Sequence, residues 1–299
     1  MKLVSILLIL LTSLVLSESL QGQDFSKVVI EPIQLTDHIY YLKGRGGNIG
    51  VLTGPEGVVM IDNQFAPLAD KIEAAIKTLS DAPIRYVINT HFHGDHSGGN
   101  EAFSKKGGIL LAHENVRARL STDQYQAFFD RKTPAKPKTS WPVITFGEGL
   151  RLHLNGETID IIHHSSAHTD GDALVYFRTS NVLHAGDVFV TYGFPFIDAS
   201  SGGSIEGFIA YLDFMIDLID DETKVIPGHG DLSNRQDVIA FRDRLKHLYT
   251  QVMIRKRMGQ SMDKILAAGI TEPFEEEWGK GFIKGRDFLM LLSESLGND

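Results

Sequence analysis

The chain contains no cysteine among its 299 residues. Disulfide stapling is therefore excluded, and so is any soft-metal site built on thiolates. The fold has to stand on a hydrophobic core and on whatever metal the remaining ligand types can hold. Concentrated positive charge is missing too: 29 Lys and Arg against 38 Asp and Glu leave a net charge of −9. The one basic run, Arg255-Lys256-Arg257, falls in a helical pattern and reads as a solvated helix face. Binding to phosphate backbones wants a broad cationic face, so the composition argues against nucleic acid as the main partner. Val4 to Leu16 is an apolar run too short for a comfortable membrane span. With Lys2 before it and small residues after it, residues 1–22 read as a signal peptide, cut somewhere around Ser17 to Gly22. The mature protein is expected to be periplasmic or secreted, with no stable membrane insertion. No linker or repeat period interrupts residues 23–299, which are expected to form a single domain.

What is present is an alternation of elements. "HIYYLKG", "NIGVLTG" and "GVVMIDN" are β-rich runs parted by Gly and Pro signals, which predicts a meander over 38–63. Residues 66–80 carry apolar groups at helical spacing and stop at Asp81-Ala82-Pro83. Strands are expected at "IRYVINT" and "GGILLAH", a helix from Glu114, and an exposed loop in the Pro- and Lys-rich stretch 130–142. Further strands follow at "GLRLHLN", "TIDIIHH", "DALVYFR" and "NVLHAGD". A helix at 204–219, a strand in "TKVIPGHG", a long helical pattern over about 234–258 and short helices beyond Gln260 complete the chain. Strands alternating with helices, with polar groups in the strand-end loops, imply a layered α/β domain.

Three of the twelve histidines crowd into "NTHFHGDHSGGN", residues 89–100. Imidazole and carboxylate are the usual ligands of zinc and similar metals, so the crowding asks for a cation. His91 and His93 alternate across Phe92 and point one way from an extended segment. Gly94 lets the backbone turn so that Asp95 and His96 face a neighbouring ion. Three later strand ends also stop in ligand types: "IIHHSSAHTDGD" with His168, "NVLHAGDVF" with Asp187 and "KVIPGHGDLSN" with His229. Each alone is a weak signal; in this order they reinforce one another. His163 and His164 lie at a strand's end, one of them expected to face the core as a hydrogen-bonded histidine; His184 reads as a packed strand residue, and His38, His113, His153 and His247 as structural. Asp170 and Asp172 shape the loop after His168.

H-x-H-x-D-H, then His, then Gly-Asp, then Pro-Gly-His-Gly resembles the metallo-β-lactamase superfamily over roughly residues 35–235. The resemblance implies a four-layer αββα sandwich with a two-zinc site at the sheet edges. It implies His91, His93 and His168 around the first Zn2+, Asp95, His96 and His229 around the second, and Asp187 bridging them. Asp62 matches the family's strand-end aspartate that orients a ligand histidine. The reaction it implies is hydrolysis of a small-molecule carbonyl, a cyclic amide or ester of β-lactam or lactone type, by a hydroxide shared between the zincs. Asp95 would orient that hydroxide as well as ligate. A bridging carboxylate departs from the established β-lactamases and looks more like the lactonases and glyoxalase II-type thioesterases, so a thioester stays open as substrate. A single-iron persulfide dioxygenase and a catalytically idle metal protein are the competing classes. For the pocket, Tyr192, Phe194 and Phe196 are expected over the site, the Gly-rich stretch 43–48 as a mobile flap, and Trp141 on the other side.

Overall fold

The strands carry apolar residues on both faces, and each face finds a different partner. In the computed structural model, which describes residues 24–296, the first half of the chain builds a seven-stranded sheet. Its strands are β1 (Glu31–Gln34), β2 (Ile39–Lys43), β3 (Ile49–Leu52), β4 (Val58–Ile61), β5 (Ile84–Ile88), β6 (Ile109–His113) and, after a separate hairpin of β7 (Gln124–Gln126) and β8 (Arg131–Thr133), β9 (Ile144–Phe146). They lie in the order β1-β2-β3-β4-β5-β6-β9, antiparallel as far as β4 and parallel from there. The second half builds a five-stranded sheet of β10 (Gly149–Leu154), β11 (Glu157–Ile162), β12 (Leu174–Phe177), β13 (Val182–His184) and β14 (Lys224–Ile226). Its strands are antiparallel up to β13, and β14 runs parallel to β13.

Period-two alternation sorts the side chains into layers. Leu52, Val59, Ile61, Ile88 and Leu111 of the first sheet pack against Ile159, Ile161, Val175, Phe177 and Ile226 of the second. Their sequence neighbours face outward. Val51, Val58, Met60, Val87 and Leu110 meet Leu68, Ile72 and Ile76 of the helical segment ending in α1 (Ala69–Lys77), together with Phe103. Leu174, Tyr176, Leu183 and Val225 meet three later helices, α5 (Ile205–Leu218), α6 (Arg235–Arg257) and α8 (Gly285–Ser295). α2 (Gly94–Ser97) and α3 (Asn100–Lys105) connect β5 to β6, α4 (Glu114–Leu120) follows β6, and α7 (Met262–Leu266) precedes α8. The arrangement is the αββα sandwich expected. Helix starts are chemically marked: Ser204 accepts the Gly207 N–H at the head of α5, and Asn234 with Asp237 forms a capping box on α6.

Two expectations fail here. The stretch 130–142 is not all loop, because Arg131–Thr133 pairs with Gln124–Gln126; the ladder is polar and carries no apolar alternation to announce it. β1 also escaped the pattern, since "EPIQ" is an edge strand with no buried residue. The signal segment expected over 1–22 lies outside the described residues.

Candidate metal centre

β4 and β5 run parallel in one sheet and β13 and β14 in the other, so their C-terminal ends deliver loops to a common edge. Every residue of the expected ligand set arrives there. β5 ends in Asn89-Thr90-His91, and His93 then heads the single turn of α2, which carries Asp95 and His96. His168 comes from the loop after β11, Asp187 from a 3₁₀ turn after β13, and His229 from the loop after β14.

Two sub-clusters result. His93 Nδ1 lies 2.8 Å from His168 Nε2, with His91 beside both rings. His96 Nε2 lies 3.1 Å from His229 Nε2, and His229 Nε2 lies 3.2 Å from Asp95 Oδ2. Asp187 stands between, with Oδ2 3.6 Å from His168 and Oδ1 3.2 Å from His96 and 3.5 Å from His229. The triads His91–His93–His168 and Asp95–His96–His229, and a third of His91, His96 and Asp187, each gather ligand atoms within 4.8 Å.

The outward nitrogens are held by acceptors, which leaves the inward ones as the ligand atoms. Asp62 accepts the His96 Nδ1–H at 2.7 Å, and also the Thr90 backbone N–H and hydroxyl. Thr90 Oγ1, having given its proton to Asp62, accepts from His91 Nδ1 at 3.1 Å. The Phe196 carbonyl accepts from His168 Nδ1 at 2.8 Å, and Asp198 Oδ2 accepts from His93 Nε2 at 2.9 Å. Each donation fixes a tautomer whose remaining lone pair points to the centre. Asp62 occupies the left-handed region at φ 61°, a conformation that short polar side chains tolerate best. Asp198 and its neighbour Gln126, whose Nε2 donates to Asp198 at 3.2 Å, were not found from the sequence. The only signal was an aspartate before a Ser-Gly turn in "FIDASSGG".

Charge divides the two sub-clusters. Burial, with the other histidines, pushes His91 well below the usual histidine value and His168 down to about 4, so both are bare at neutral pH. Burial also opposes charge on His96 and His229, but the carboxylates outweigh it. Asp187, Asp62 and Asp95 raise His96 well up, and Asp187 and Asp95 raise His229 to about 9. Conversely, burial works against the Asp95 and Asp187 carboxylates, yet His96 and His229 hold both below the ordinary range.

These residues fit metal ions. His91 Nε2 and Asp187 Oδ1 are buried without a hydrogen-bond partner, in the middle of the cluster, and orphaned buried acceptors are costly. Asp62, Asp95, Asp187 and Asp198 together bring four negative charges to the site, a concentration of charge that bound cations offset. Glycine is required at two close approaches. A Cβ on Gly47 would enter the His96 ring, and one on Gly228 would enter Asp187 Oδ1.

The surroundings correct several expectations. The 43–48 stretch is a fastened strap, not a free flap: Gly47 N–H donates to the Asp95 carbonyl and Asn48 N–H to the Gly228 carbonyl, at 3.0 and 2.7 Å. Phe194 is a core residue against Trp278 and Phe288, whereas Tyr192 and Phe196 do border the ligands. Trp141 packs with Phe92, Val116 and Leu120 beneath α4, away from the cluster. Of the other histidines, His184 is buried against the Asn48 carbonyl, and His163 bonds the Asp172 carbonyl while stacking on His113. Asp170 pairs with Arg119, and Asp172 accepts the Thr169 N–H and hydroxyl, so both shape the loop that presents His168.

A family model described as the metallo-beta-lactamase superfamily matches residues 42–229. The chain belongs to the metallo-beta-lactamase superfamily. Its relatives include an acyl-coenzyme A thioesterase of Gallus gallus, 26% identical over 211 residues, covering 64% of this chain and 74% of the relative. A hydroxyacylglutathione hydrolase of Nitrosococcus oceani is 29% identical over 155 residues, half of each chain. Among solved structures, a metallo-beta-lactamase from Pontibacter korlensis superposes with a TM-score of 0.61 at 16% identity, over 73% of this chain and 99% of its own. That last likeness is one of fold. Superfamily and relatives together make this chain a hydrolase whose histidine-rich cluster is able to bind metal.

Proposed function

We propose that the protein is a two-zinc hydrolase that cleaves an acyl ester or thioester of a small molecule, lactones included. The observation that carries the reading is the Asp187 carboxylate with one oxygen toward each histidine sub-cluster. His91, His93 and His168 would hold one ion and Asp95, His96 and His229 the other. Two such cations supply Lewis acidity and lower the pKa of water from 15.7 toward about 7. Asp187 adds negative charge between them, which tempers the electrophilicity a β-lactam amide would need. Support for an ester or thioester also comes from the two relatives named as thioesterase and hydroxyacylglutathione hydrolase.

The chain's own groups do the rest. Asp95 is the more exposed of the two central carboxylates, so it faces incoming water, accepts its hydrogen bond and fixes the direction of attack. Asp62 and Asp198 hold the rings of His96 and His93 in orientation. Tyr192 packs its ring edge-on to His229 at 5.6 Å. Burial, with Asp187 and Asp95, raises its hydroxyl well above the usual value, so it stays a donor for a substrate oxygen. The reading of residues 1–22 as a signal peptide supports a periplasmic or secreted protein.

The test is metal content by mass spectrometry alongside hydrolysis of an acyl thioester, a lactone and a chromogenic cephalosporin, with Asp95→Asn as control. Two zincs per chain and a kcat/KM of about 10⁴ M⁻¹s⁻¹ on thioester or lactone, lost in the control, is the expected result. One iron per chain, or a two-zinc protein no faster than its control on all three, would overturn it.

A further inference from the structure

Gln126 is no part of the ligand set, yet it is 5% exposed and stands beside one of the ligands. Its Nε2 lies 3.1 Å from His93 Nε2 and 3.2 Å from Asp198 Oδ2, the same oxygen that accepts from His93 at 2.9 Å. Two nitrogens therefore donate to one carboxylate oxygen, and the amide closes one side of the His93 ring. The other end of the amide is held as well: Arg131 donates to Gln126 Oε1 from Nε at 3.0 Å and again from Nη2. A guanidinium offers only donors, and an ionised carboxylate only acceptors. Between them the amide has one orientation, oxygen toward Arg131 and nitrogen toward Asp198. Turned over, it would set its oxygen against the Asp198 carboxylate and its N–H groups against those of Arg131.

The hairpin explains how an exposed arginine reaches this network. Gln126 and Arg131 are directly opposed across the β7–β8 ladder, so their side chains lie next to each other. They close a turn over Ala127–Phe129, which Asp130 ends in the left-handed region at φ 45°. Within the hairpin the Tyr125 hydroxyl donates to Asp130 Oδ1 at 2.9 Å, and the Arg131 guanidinium lies 5.8 Å over the Phe129 ring. Outside it, Ala127 N–H donates to Ser200 Oγ at 3.0 Å, just after Asp198, and Arg119 Nη1 donates to Gln124 Oε1 at 3.1 Å. The same Arg119 grips Asp170, just after His168. Of all the residues in β7 and β8, Gln126 alone is buried. A two-stranded ladder with so little to bury is not held by a core of its own. Its fixed points are the polar contacts around the ligand loops.

We propose that Gln126 and Arg131 are positioning residues for His93: Arg131 fixes the Gln126 amide, and Gln126 holds the Asp198 carboxylate and the His93 ring in register. The inference rests on the metal-centre reading above. It makes the β7–β8 hairpin a brace of the centre, acting on the His93 side and not on the His96 and His229 side. Without Arg131 the Gln126 oxygen loses its donors and the amide is free to turn over, which loosens Asp198; without Gln126, Arg131 has no route to the ligands.

The experiment joins site-resolved zinc titration with proton NMR of the zinc-loaded protein, which reads the His93 Nε2–H, identified by its loss in Asp198→Ala. A carboxylate behind a ligand histidine is worth about 10- to 100-fold in metal affinity, and groups acting through it fall at or below the low end. Gln126→Ala should therefore weaken the ion that His91, His93 and His168 would hold about tenfold, and Arg131→Ala about threefold. Both should shift the His93 N–H resonance, and Arg131→Lys, which keeps a donor, should recover part of each effect. Arg131→Ala added to Gln126→Ala should cost nothing further, because one acts through the other. Tyr125→Phe removes a contact from the same hairpin without touching Gln126, and should leave both affinities and the resonance as in the wild type. Unchanged affinities in Gln126→Ala, equal weakening of both sites, a matching loss in Tyr125→Phe, or an Arg131 effect that persists without Gln126 would overturn the proposal. If the chain holds a single ion whose affinity still follows Gln126 and Arg131, the brace stands and the two-zinc reading falls; a chain that binds no metal overturns both.

Discussion

On the proposed two-zinc reading, Asp198 should decide how tightly one ion is held. Its Oδ2 accepts from His93 Nε2 at 2.9 Å and from Gln126 Nε2 at 3.2 Å, in a position 1% exposed. Burial alone would push this carboxyl up, but His93, Gln126 and Ser201 bring it down to about 2, so it is ionised at any working pH. Asp198→Ala leaves the His93 ring free to rotate and its Nε2–H without an acceptor. Loss of a carboxylate behind a metal-ligating histidine typically costs 10- to 100-fold in affinity, or about 1.4 to 2.7 kcal/mol. The loss should fall on the ion held by His91, His93 and His168, because Asp95, His96 and His229 make no contact with Asp198 in the hydrogen-bond network. Asp198→Asn keeps an acceptor oxygen but not the charge, and should lie between the two. Zinc titration against a chromogenic chelator resolves the two sites, and circular dichroism checks the fold. An alanine variant with both affinities within twofold of wild type would refute the reasoning, and so would equal weakening of both sites.

Metal binding should release protons. His229, raised to about 9, and His96, raised well above its usual value by Asp187 and Asp62 against the pull of burial, carry protons at pH 7 that a cation must displace. Affinity should rise with pH up to about 9, with about two protons released at neutral pH; identical calorimetric heats in buffers of different protonation enthalpy would contradict this. Gly228→Ala drives a methyl group into Asp187 and the Gly186 backbone. It should cut zinc affinity at least about tenfold, so wild-type metal content after dialysis would argue against a bridging Asp187. Asp172 is raised to about 7, chiefly by burial, so its contribution to folding is full below pH 4 and is lost as pH rises through 7. In chelator-treated protein, Asp172→Asn should gain Tm relative to wild type across pH 4 to 7, and a constant Tm difference would count against that assignment.

The ligand set was legible because its chemistry is local in sequence. Four of the seven residues fall within His91 to His96, and the others each lie in a loop or turn that follows a strand. The layered α/β alternation was legible from the strand and helix patterns, while the four-layer sandwich came only with the family resemblance; the structure accounts for it, since "VVMI" and "LVYF" are apolar on both faces, as strands covered on both sides must be. What failed to show were contacts made only in three dimensions. Asp198 meets His93 across 105 residues, and Gln126 reaches the pair from a polar hairpin. The supposed flap at 43–48 had the glycines of a hinge, but those glycines serve to let the strap pass close over His96 and Asp95.

The ligands are shared between the two halves of the sandwich: His91 to His96 come from the first sheet, His168, Asp187 and His229 from the second. An ion seated there is a cross-link between halves of a chain that has no cysteine with which to make one. It can form only after the halves have docked, so it rewards the assembled state alone. Its contribution grows as RT ln(1 + [L]/Kd) with the free metal around it. A disulfide answers to the redox state of its surroundings; this fastening answers to metal supply, is indifferent to reductants, and is undone by chelators.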